Sequence, residues 1–334
     1  MSLIVSIPVI LLGIVGVFCF AGCVFHTEGL ASPFSNYING TVRGETSLMV
    51  CWPLNDKLKE TDNPAPAIEI QSGIPSSYID MATAPEIYPW LGTPVGNAPG
   101  PDVASADAGN GSILFNQPGI VAGDAVVSTI PDVLQPCVVV NGCYVEALFN
   151  PKFVPLGSFT VEAWVQVGWS STDPHAWRFV LDMRDHDPGR GFGILARAED
   201  NQPGVYRWVA MVGNGGAGTA GFTTVPSVGT IALTDGATAV KPVYLALTFD
   251  GQVMTLFVDG ESQGGMNAAY MPNTVQPIWI GAGAPFVTKR PAGIGPLFPW
   301  VGALQDVAIY GAALDPIAIR KHFNNGQGSD PPQG

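Results

Sequence analysis

The fold of this chain is constrained most by FTVEAWVQV, a run over Phe159–Val167 in which side-chain character alternates. Successive side chains of a β-strand point to opposite faces, so every second residue shares a face. One face of this run is entirely apolar. The other carries Thr160, Glu162, Trp164 and Gln166. The run predicts a strand with one face in the core and the other partly exposed to water.

A hairpin is predicted downstream, in VYLALTFDGQVMTLFVDG between Val243 and Gly260. Two β-rich runs are joined at Asp250-Gly251 and closed by Asp259-Gly260. Such dipeptides tolerate the positive φ angles of tight turns. The pattern therefore predicts two antiparallel strands that are consecutive in the chain.

A third signal, VGALQDVAIYGAALDPIAIRKHF, lies near the end of the chain. It begins as an alternating strand that ends at Tyr310. Asp315-Pro316 then offers a preferred N-cap followed by a preferred first helical residue. A strand and a short helix are predicted, with residues 320–322 (Arg-Lys-His) near the helix C-terminus, where positive charge is favourable.

These signals, in this order, resemble the laminin-G-like branch of the concanavalin A-like superfamily. Its members carry an FTVEAWV-type strand, an ALTFDG…LFVDG hairpin and a closing G-x-L-x-x-V-x-I-Y strand. LMVCWPLND, from Leu48 to Asp56, resembles the family's opening strand. The resemblance covers most of the chain beyond residue 45 and implies an all-β, two-sheet antiparallel jelly roll.

The chain is predicted to form one large domain with flanking segments. We expect a transmembrane anchor at 1–25, a linker at 26–47, the sandwich at 48–325 and a tail at 326–334. Charged residues make up only 12% of the chain, against about 25% in typical proteins, so partners are expected to cover some of its surface. The net charge of −13 without a basic cluster argues against nucleic-acid binding.

The apolar N-terminal segment predicts attachment to a membrane. Residues 3–25 carry no charged side chain and are long enough to cross a bilayer as a helix. We expect a single-pass protein of a bacterial inner membrane, with its C-terminal domain in the periplasm or outside the cell. An alternative stays open, because Phe20–Cys23 (FAGC) resembles a lipoprotein cleavage box, after which Cys23 would be lipidated.

The remaining cysteines predict a covalent constraint. Cys137 and Cys143 flank VVVNG, a segment able to bend back on itself. A disulfide between them is expected, which would place the domain outside the cytosol; two buried thiols are the alternative. Cys51 is expected to be a small buried residue.

Two long insertions are predicted in the sandwich, at 61–111 and 284–300. The first is rich in Pro, Ala and Gly, and either packs on its own sandwich or wraps a neighbouring protein. Both favour an interaction surface. The candidate partner-binding aromatic residues are Tyr78, Tyr88, Trp90, Phe298 and Trp300.

No catalytic residues are predicted. Glycosidases of the superfamily often carry E-x-D-x-x-E on one strand, which places an acid and a nucleophile on the same face; this string does not occur here. Calcium is the one cofactor expected. Asp182, Asp185 and Asp187 are candidate ligands from a loop, and the resemblance to laminin-G-like domains, which frequently bind calcium, implies Asp306 on the closing strand as a further candidate. The alternative for the 182–187 cluster is a solvated loop neutralised by Arg184 and Arg190. His322 is expected to have a surface or packing role.

Three functions are compatible with these observations. The first is a non-catalytic, membrane-anchored structural subunit of a larger membrane protein complex, for which a photosynthetic reaction-centre or light-harvesting assembly is the specific expectation. The second is a surface carbohydrate-binding protein, with Trp90, Trp169 or Trp300 stacking on sugar rings. A glucanase-type hydrolase is the third and is disfavoured by the missing carboxylates.

Overall fold

The computed structural model describes residues 37–327, apart from 55–64, 68, 74, 80–94, 100–110, 116–125, 129–136, 140–143, 173–176, 187, 201, 203, 235–239, 284–297 and 299. Within that part of the chain, no helix is long and apolar enough to cross a membrane. The predicted anchor at 1–25 and the lipidation site at Cys23 lie outside the described residues, so both stay predictions.

Two eight-stranded antiparallel sheets form the domain. Sheet A contains, in spatial order, β18 (Glu261–Asn267), β17 (Val253–Val258), β16 (Val243–Phe249), β9 (Phe159–Val167), β20 (Gly302–Tyr310), β5 (Gly111–Phe115) and β4 (Val95–Pro99), with β1 (Leu48–Trp52) also paired to β20. Sheet B contains β15 (Phe222–Pro226), β14 (Tyr206–Gly213), β13 (Phe192–Ala198), β10 (Trp177–Asp182), β19 (Ile278–Ile280), β8 (Tyr144–Ala147), β3 (Ser76–Ile79) and β2 (Ala65–Ala67). This architecture confirms the predicted all-β sandwich.

Smaller elements complete the described chain. Two short hairpins pair β6 (Val126–Ser128) with β7 (Cys137–Val139), and β11 (Asp185–His186) with β12 (Gly189–Arg190). The helical elements are a π-helical turn at Tyr37–Val42, 3-10 turns at Pro151–Phe153 and Gly218–Gly221, and the helix α1 at Pro316–Gly326.

The main core lies between the two sheets and follows from the alternation in β9. Phe159, Val161 and Val165 point inward together with Leu245 and Leu247 of β16. Sheet B contributes Val180, Ile194, Ala210, Ile278 and Ile280 from its own inward face. Burial of these aliphatic and aromatic side chains removes apolar surface from water, which is the main driving force of the fold.

The predicted hairpin is confirmed as β16 and β17. The Asp250 side chain accepts hydrogen bonds from the backbone N–H groups of Gln252 and Val253, each at 2.8 Å. Gly251 has a φ of +106°. Asp259 and Gly260, at +52° and +73°, turn the chain into β18, so both dipeptides occupy the positive-φ turns for which they are suited.

The closing strand and its helix are also confirmed. Asp315 caps α1, because its Oδ1 accepts a hydrogen bond from the N–H of Ala318 at 2.8 Å. The helix continues to Gly326, so Arg320, Lys321 and His322 lie in its middle and not at its C-terminus. His322 also points to the sheet and is fully buried.

Two further expectations are corrected by burial and pairing. The second face of β9 is much less exposed than predicted, because Thr160, Glu162 and Trp164 are buried and only Gln166 is partly exposed. Part of the predicted linker packs on the domain, since Tyr37 and Val42 are buried as well.

The segment 61–111 contributes strands to the sandwich itself. It contains β2, β3 and β4, and β5 begins at Gly111. β2 and β3 extend sheet B, whereas β4 and β5 extend sheet A. This favours packing on the protein's own sandwich over an arm that wraps a neighbour.

Candidate functional site

The outer face of sheet B carries a row of large side chains on three neighbouring strands. Trp177 of β10 lies directly opposite Arg197 of β13, and Arg197 lies directly opposite Arg207 of β14. Side chains at directly opposed positions emerge on the same face of a sheet and within contact range. The row therefore places one indole and two guanidinium groups side by side. The indole of Trp177 is buried against Phe298, so the arginines are the accessible members of the row.

The two arginines of this row differ in their partners. Arg207 pairs with Glu199, and its Nη1 donates to the carbonyl oxygens of Ser227, at 3.0 Å, and Val228. Arg197 is half-buried and makes neither a hydrogen bond nor an ion pair within the described part of the chain. Its guanidinium group has five N–H donors for an external acceptor.

A buried ion pair supports the neighbouring part of the same face. Arg184 Nε lies 2.6 Å from Asp182 Oδ1, and Nη2 lies 3.0 Å from Oδ2. The pair lies over Gly193, where a Cβ would lie 3.4 Å from both side chains. The guanidinium carbon of Arg184 lies 4.5 Å from the ring centroid of Phe179 and 5.4 Å from that of Phe222. Stacking and a bidentate pair together stabilise this buried arginine, although its Nη1 has no hydrogen-bond partner in the described part of the chain.

The outer face of sheet A has a different centre, the carboxylate of Glu162. This side chain is fully buried. Its Oε1 accepts hydrogen bonds from the hydroxyls of Tyr37 at 3.1 Å and Tyr310 at 2.6 Å. Its Oε2 accepts from the hydroxyl of Tyr244 at 2.5 Å and lies 2.8 Å from His322 Nδ1. Four partners use the full acceptor capacity of a carboxylate.

Strand register explains why these groups meet. The residues directly opposite Glu162 are Ala246 on β16 and Ala308 on β20. Tyr244 and Tyr310 lie two residues further along those strands, at the diagonal positions that a long side chain can reach. The two small alanines leave space above Glu162, and the phenol groups and His322 fill it.

The environment fixes the protonation states of this cluster. Burial disfavours the charged carboxylate, but the charge of His322 and the hydrogen bonds outweigh it, so the pKa of Glu162 is lowered. Burial likewise opposes protonation of His322, but Glu162 and then Glu45 outweigh it, so the pKa of His322 is raised. Burial, and then the Glu162 charge, raise the pKa values of Tyr244 and Tyr310. The cluster is an ion pair surrounded by neutral phenol donors.

A bulge in β20 adds two more polar residues to the outer face of sheet A. Leu304 and Val307 both belong to the main core. The two residues between them, Gln305 and Asp306, therefore both lie on the outer side of the sheet. Asp306 has a φ of +53°, and the pairing with β9 shifts at this point. A simple strand would place Asp306 on the opposite face from Gln305, and the bulge prevents this.

The predicted calcium ligands are not brought to one place. Asp182 belongs to sheet B and is paired with Arg184, whereas Asp306 belongs to sheet A. The two lie on the outer sides of different sheets and cannot share a cation. Among the described residues, no group of three or more His, Cys, Asp or Glu side chains is arranged to hold a metal. Asp187 lies outside the described residues, so calcium binding by Asp185 and Asp187 stays a prediction.

The predicted aromatic contacts are corrected where side chains are described. Trp300 and Trp169 are buried between the sheets, with ring centroids 4.9 Å apart at 87°. Phe298 is buried against Trp177 and Phe179. Phe298 and Trp300 are therefore packed into the domain, and neither Trp169 nor Trp300 presents a face to a sugar. The side chain of Tyr78, together with Tyr88 and Trp90, lies outside the described residues.

The predicted disulfide cannot be located either, because Cys143 and the side chain of Cys137 lie outside the described residues. Cys51 is a buried free thiol on β1, as expected. Its pKa is raised by burial, then by the charges of Asp306 and Glu162. Such a thiol is protonated and unreactive.

The fold and the sequence agree on a family. A laminin-G family model, described as concanavalin A-like lectin/glucanases superfamily, matches residues 142–320. The match covers more than half of the 334 residues. The chain therefore belongs to the laminin-G-like branch of the concanavalin A-like superfamily.

Solved structures with the same fold include botulinum neurotoxins. One is botulinum neurotoxin type C, described as dependent on interaction with two ganglioside molecules to enter cells; it is 12% identical, with a TM-score of 0.50 over 86% of this chain and 53% of that chain. Another is the botulinum neurotoxin serotype C1 binding domain, 12% identical with a TM-score of 0.50 over 84% of this chain and 52% of that chain. This chain thus spans about half the length of those structures, and the likeness concerns the fold alone. No curated protein matches the sequence significantly.

The cluster around Glu162 was not predicted from the sequence. One signal was present, since a glutamate in the middle of a strand otherwise rich in apolar residues needs a partner if it is buried. Its partner His322 is 160 residues away. The Arg197 row was missed for a similar reason, because its members come from three strands whose pairing is not visible in any local pattern.

Proposed function

We propose that this protein is a non-catalytic, lectin-like binding domain, and that its ligand is a carbohydrate. The observation that carries the proposal is Arg197 on the outer face of sheet B, a half-buried guanidinium group that has no hydrogen-bond or ion-pair partner in the described part of the chain. A charged donor at a protein surface is one of the groups that fix the orientation of a bound small ligand. Membership of a lectin/glucanase superfamily supports this interpretation, as does the ganglioside dependence of botulinum neurotoxin type C.

The state of the buried carboxylates favours binding over hydrolysis. A glycosidase needs two carboxyl groups that face one glycosidic bond across a cleft. In the described part of the chain, Glu162 is enclosed by three tyrosines and His322, and Asp182 is held by Arg184. Neither group is open to a sugar, so we infer that the domain binds its ligand without cleaving it.

The arginine row indicates the chemistry of the preferred sugar. The chain has a net charge of −13, so an anionic ligand meets general repulsion and needs a local positive site. Arg197 provides such a site, whereas the neighbouring Arg207 is already paired with Glu199. We infer that sugars bearing a carboxylate or sulfate bind better than neutral sugars, because a guanidinium group pairs with such anions in a bidentate manner.

The proposal is tested by applying the purified full-length chain to an array of neutral and acidic glycans, and then measuring affinity by calorimetry. Arg197→Ala is expected to weaken binding roughly tenfold to a hundredfold, since a hydrogen bond to a charged group contributes about 1.5–3 kcal/mol. Lys152→Ala is the matched control, because Lys152 is exposed on the 3-10 turn before β9. Failure to retain any glycan, or equal affinity of the Arg197 variant and the wild type, would contradict the proposal.

A second candidate function is a structural subunit of a larger membrane complex, including the photosynthetic assembly expected from the sequence. The uncharged segment at 3–25 and the small charged fraction favour it. Gentle solubilisation of native membranes followed by mass analysis would separate the two candidates. A stoichiometric complex favours the subunit, and a lone chain that binds glycans favours the lectin.

A further inference from the structure

Two segments from opposite ends of the described chain meet over the outer face of sheet A. The first, residues 37–45, begins with the turn Tyr37–Val42, and the second is α1. The side chain of Asn325 donates to Thr41 Oγ1 at 2.9 Å. The rings of Tyr37 and His322 meet edge to face, with centroids 6.4 Å apart. The two segments therefore form one cover, which we call the cap.

Glu162 is the point of the sheet that holds both halves of the cap. It accepts from Tyr37 of the first segment and binds His322 of the second. His322 also reaches back to the first segment, with its Nε2 3.4 Å from Glu45 Oε1. One imidazole thus bridges a sheet carboxylate and a cap carboxylate, and this arrangement needs an N–H on both ring nitrogens. Only protonated histidine has both.

We propose that Glu162 and His322 form an ion-pair latch that closes the cap on sheet A, and that the cap loosens as His322 loses its proton. The proposal concerns the cap alone and is independent of any ligand on sheet B. Loss of the proton removes the positive partner of a buried carboxylate, and an unpaired buried charge is strongly unfavourable. Opening the cap gives Glu162 access to water, which relieves this cost.

The other groups around His322 do not supply a substitute charge. The sheet strands present Tyr244, Tyr310, Asp306 and Cys51, none of which is positive. The first segment presents Glu45, and also Arg43, whose side chain is exposed. On α1 itself, Arg320 is paired with Glu261 of β18 and Lys321 is exposed. His322 is the buried cation of this face in the described part of the chain.

The direction of the pH effect follows from linkage. A histidine whose folded pKa is raised stabilises the fold fully below its unfolded value of about 6.5, and this contribution is lost as pH rises through the folded pKa. Folding lowers the pKa of Glu162, so this carboxylate stabilises the fold above its unfolded pKa of about 4.5. That stabilisation is lost as pH falls through the folded pKa. The latch is therefore strongest between about pH 4.5 and 6.5, and it weakens as pH rises through the folded pKa of His322, which lies above 6.5.

Hydrogen exchange on the full-length chain tests the latch directly. With intrinsic exchange rates corrected for pH, amides of residues 37–45 and 316–326 are expected to lose protection together between pH 6 and pH 9. The protection factors of these amides should fall roughly tenfold for each unit by which folding raises the pKa of His322. Protection of β13 and β14 in sheet B should stay constant.

A variant separates the latch from general loosening. His322→Gln keeps a donor for Glu162 but carries no charge, so its cap should exchange faster than that of the wild type at pH 6 and show no further change by pH 9. Lys321→Gln is the matched control, since it removes a neighbouring charge from the exposed side of α1, and should behave as the wild type. Wild-type pH dependence in the His322 variant, or loosening of one cap segment without the other, would overturn the proposal.

A wild-type measurement makes the test independent of whether the variant folds. In a sample labelled with ¹⁵N-histidine, the two ring nitrogens of His322 should keep the shifts of imidazolium above pH 6.5 and should change in the same pH range in which the cap loses protection. A neutral His322 at pH 6, or titration in a range unrelated to exchange, would refute the latch.

Discussion

The two faces of β9 are covered by chemically different layers. Its inner face carries Phe159, Val161 and Val165 against other apolar side chains. Its outer face carries Thr160, Glu162 and Trp164 under the cap. Apolar contacts have no preferred direction, so many arrangements of the inner face would be nearly equal in energy. A buried carboxylate accepts few arrangements, because each lone pair needs a donor.

The comparison shows what a buried ion pair contributes to this fold. Replacing such a pair with apolar residues is often neutral or even stabilising, so the net stabilisation of the Glu162–His322 pair is small. Removing one partner is costly, since the other is left buried and unpaired. The pair therefore favours one position of the cap over others, whereas the inner face supplies most of the driving force.

The largest effect is expected for Glu162→Ala. Loss of the carboxylate leaves His322 and three hydroxyls without their partner and should lower the free energy of unfolding by about 3–5 kcal/mol. The difference from the wild type should be greatest between about pH 4.5 and 6.5, where both charges of the pair are present. Urea unfolding followed by circular dichroism measures both quantities.

The neighbouring inner-face variant Val161→Ala is the control for that measurement. It removes apolar contacts only, so its effect should not vary with pH over the same range. An equal pH dependence in both variants would contradict the distinction drawn between the two faces.

A smaller effect is expected for Tyr310→Phe. Its hydroxyl donates to Glu162 at 2.6 Å, and a hydrogen bond to a charged group contributes about 1.5–3 kcal/mol. Tyr270→Phe provides the matched control, because the buried hydroxyl of Tyr270 has no hydrogen-bond partner in the described part of the chain. That variant should be neutral or slightly stabilising. Thermal unfolding of both proteins would rank them, and the opposite order would be inconsistent with this account.

The smallest effect is expected for Asp315→Ala, which removes the cap of α1 and should cost about 1 kcal/mol. The loss should appear in hydrogen exchange of the cap before it appears in global unfolding, because α1 lies at the edge of the domain. An effect as large as that of Glu162→Ala would mean that the helix, and not the carboxylate, holds the cap.

Local features were predictable from the sequence because their causes lie within a few residues. Asp250-Gly251 and Asp259-Gly260 specify turns through their own backbone preferences, and Asp315-Pro316 specifies the start of a helix. The alternation of β9 gave its inner face correctly, whereas its outer face was misjudged. Alternation reports which side chains share a face, but whether that face meets water depends on segments far away in the chain.

The candidate sites illustrate the same division. Aromatic residues such as Trp300 were predicted to contact a partner at the surface. Trp300 is instead buried in the main core, and its position in a Pro-rich segment of the sequence does not distinguish the two roles. Asp182 and Asp306 were grouped by their chemical type, although the strand order separates them into two sheets. Arg197 and Trp177 were not predicted as neighbours, because neither lies in a sequence motif.

The sequence by itself determined the class of fold, the order of its hallmark strands, its tight turns and the cap residue of its terminal helix. Those properties depend on backbone preferences and on side-chain alternation, which act over a few residues. Only the tertiary structure decided that His322 reaches Glu162 and that Arg197 lies beside Trp177. Such neighbours are set by strand register and sheet order, and these follow from the free energy of the whole packed domain.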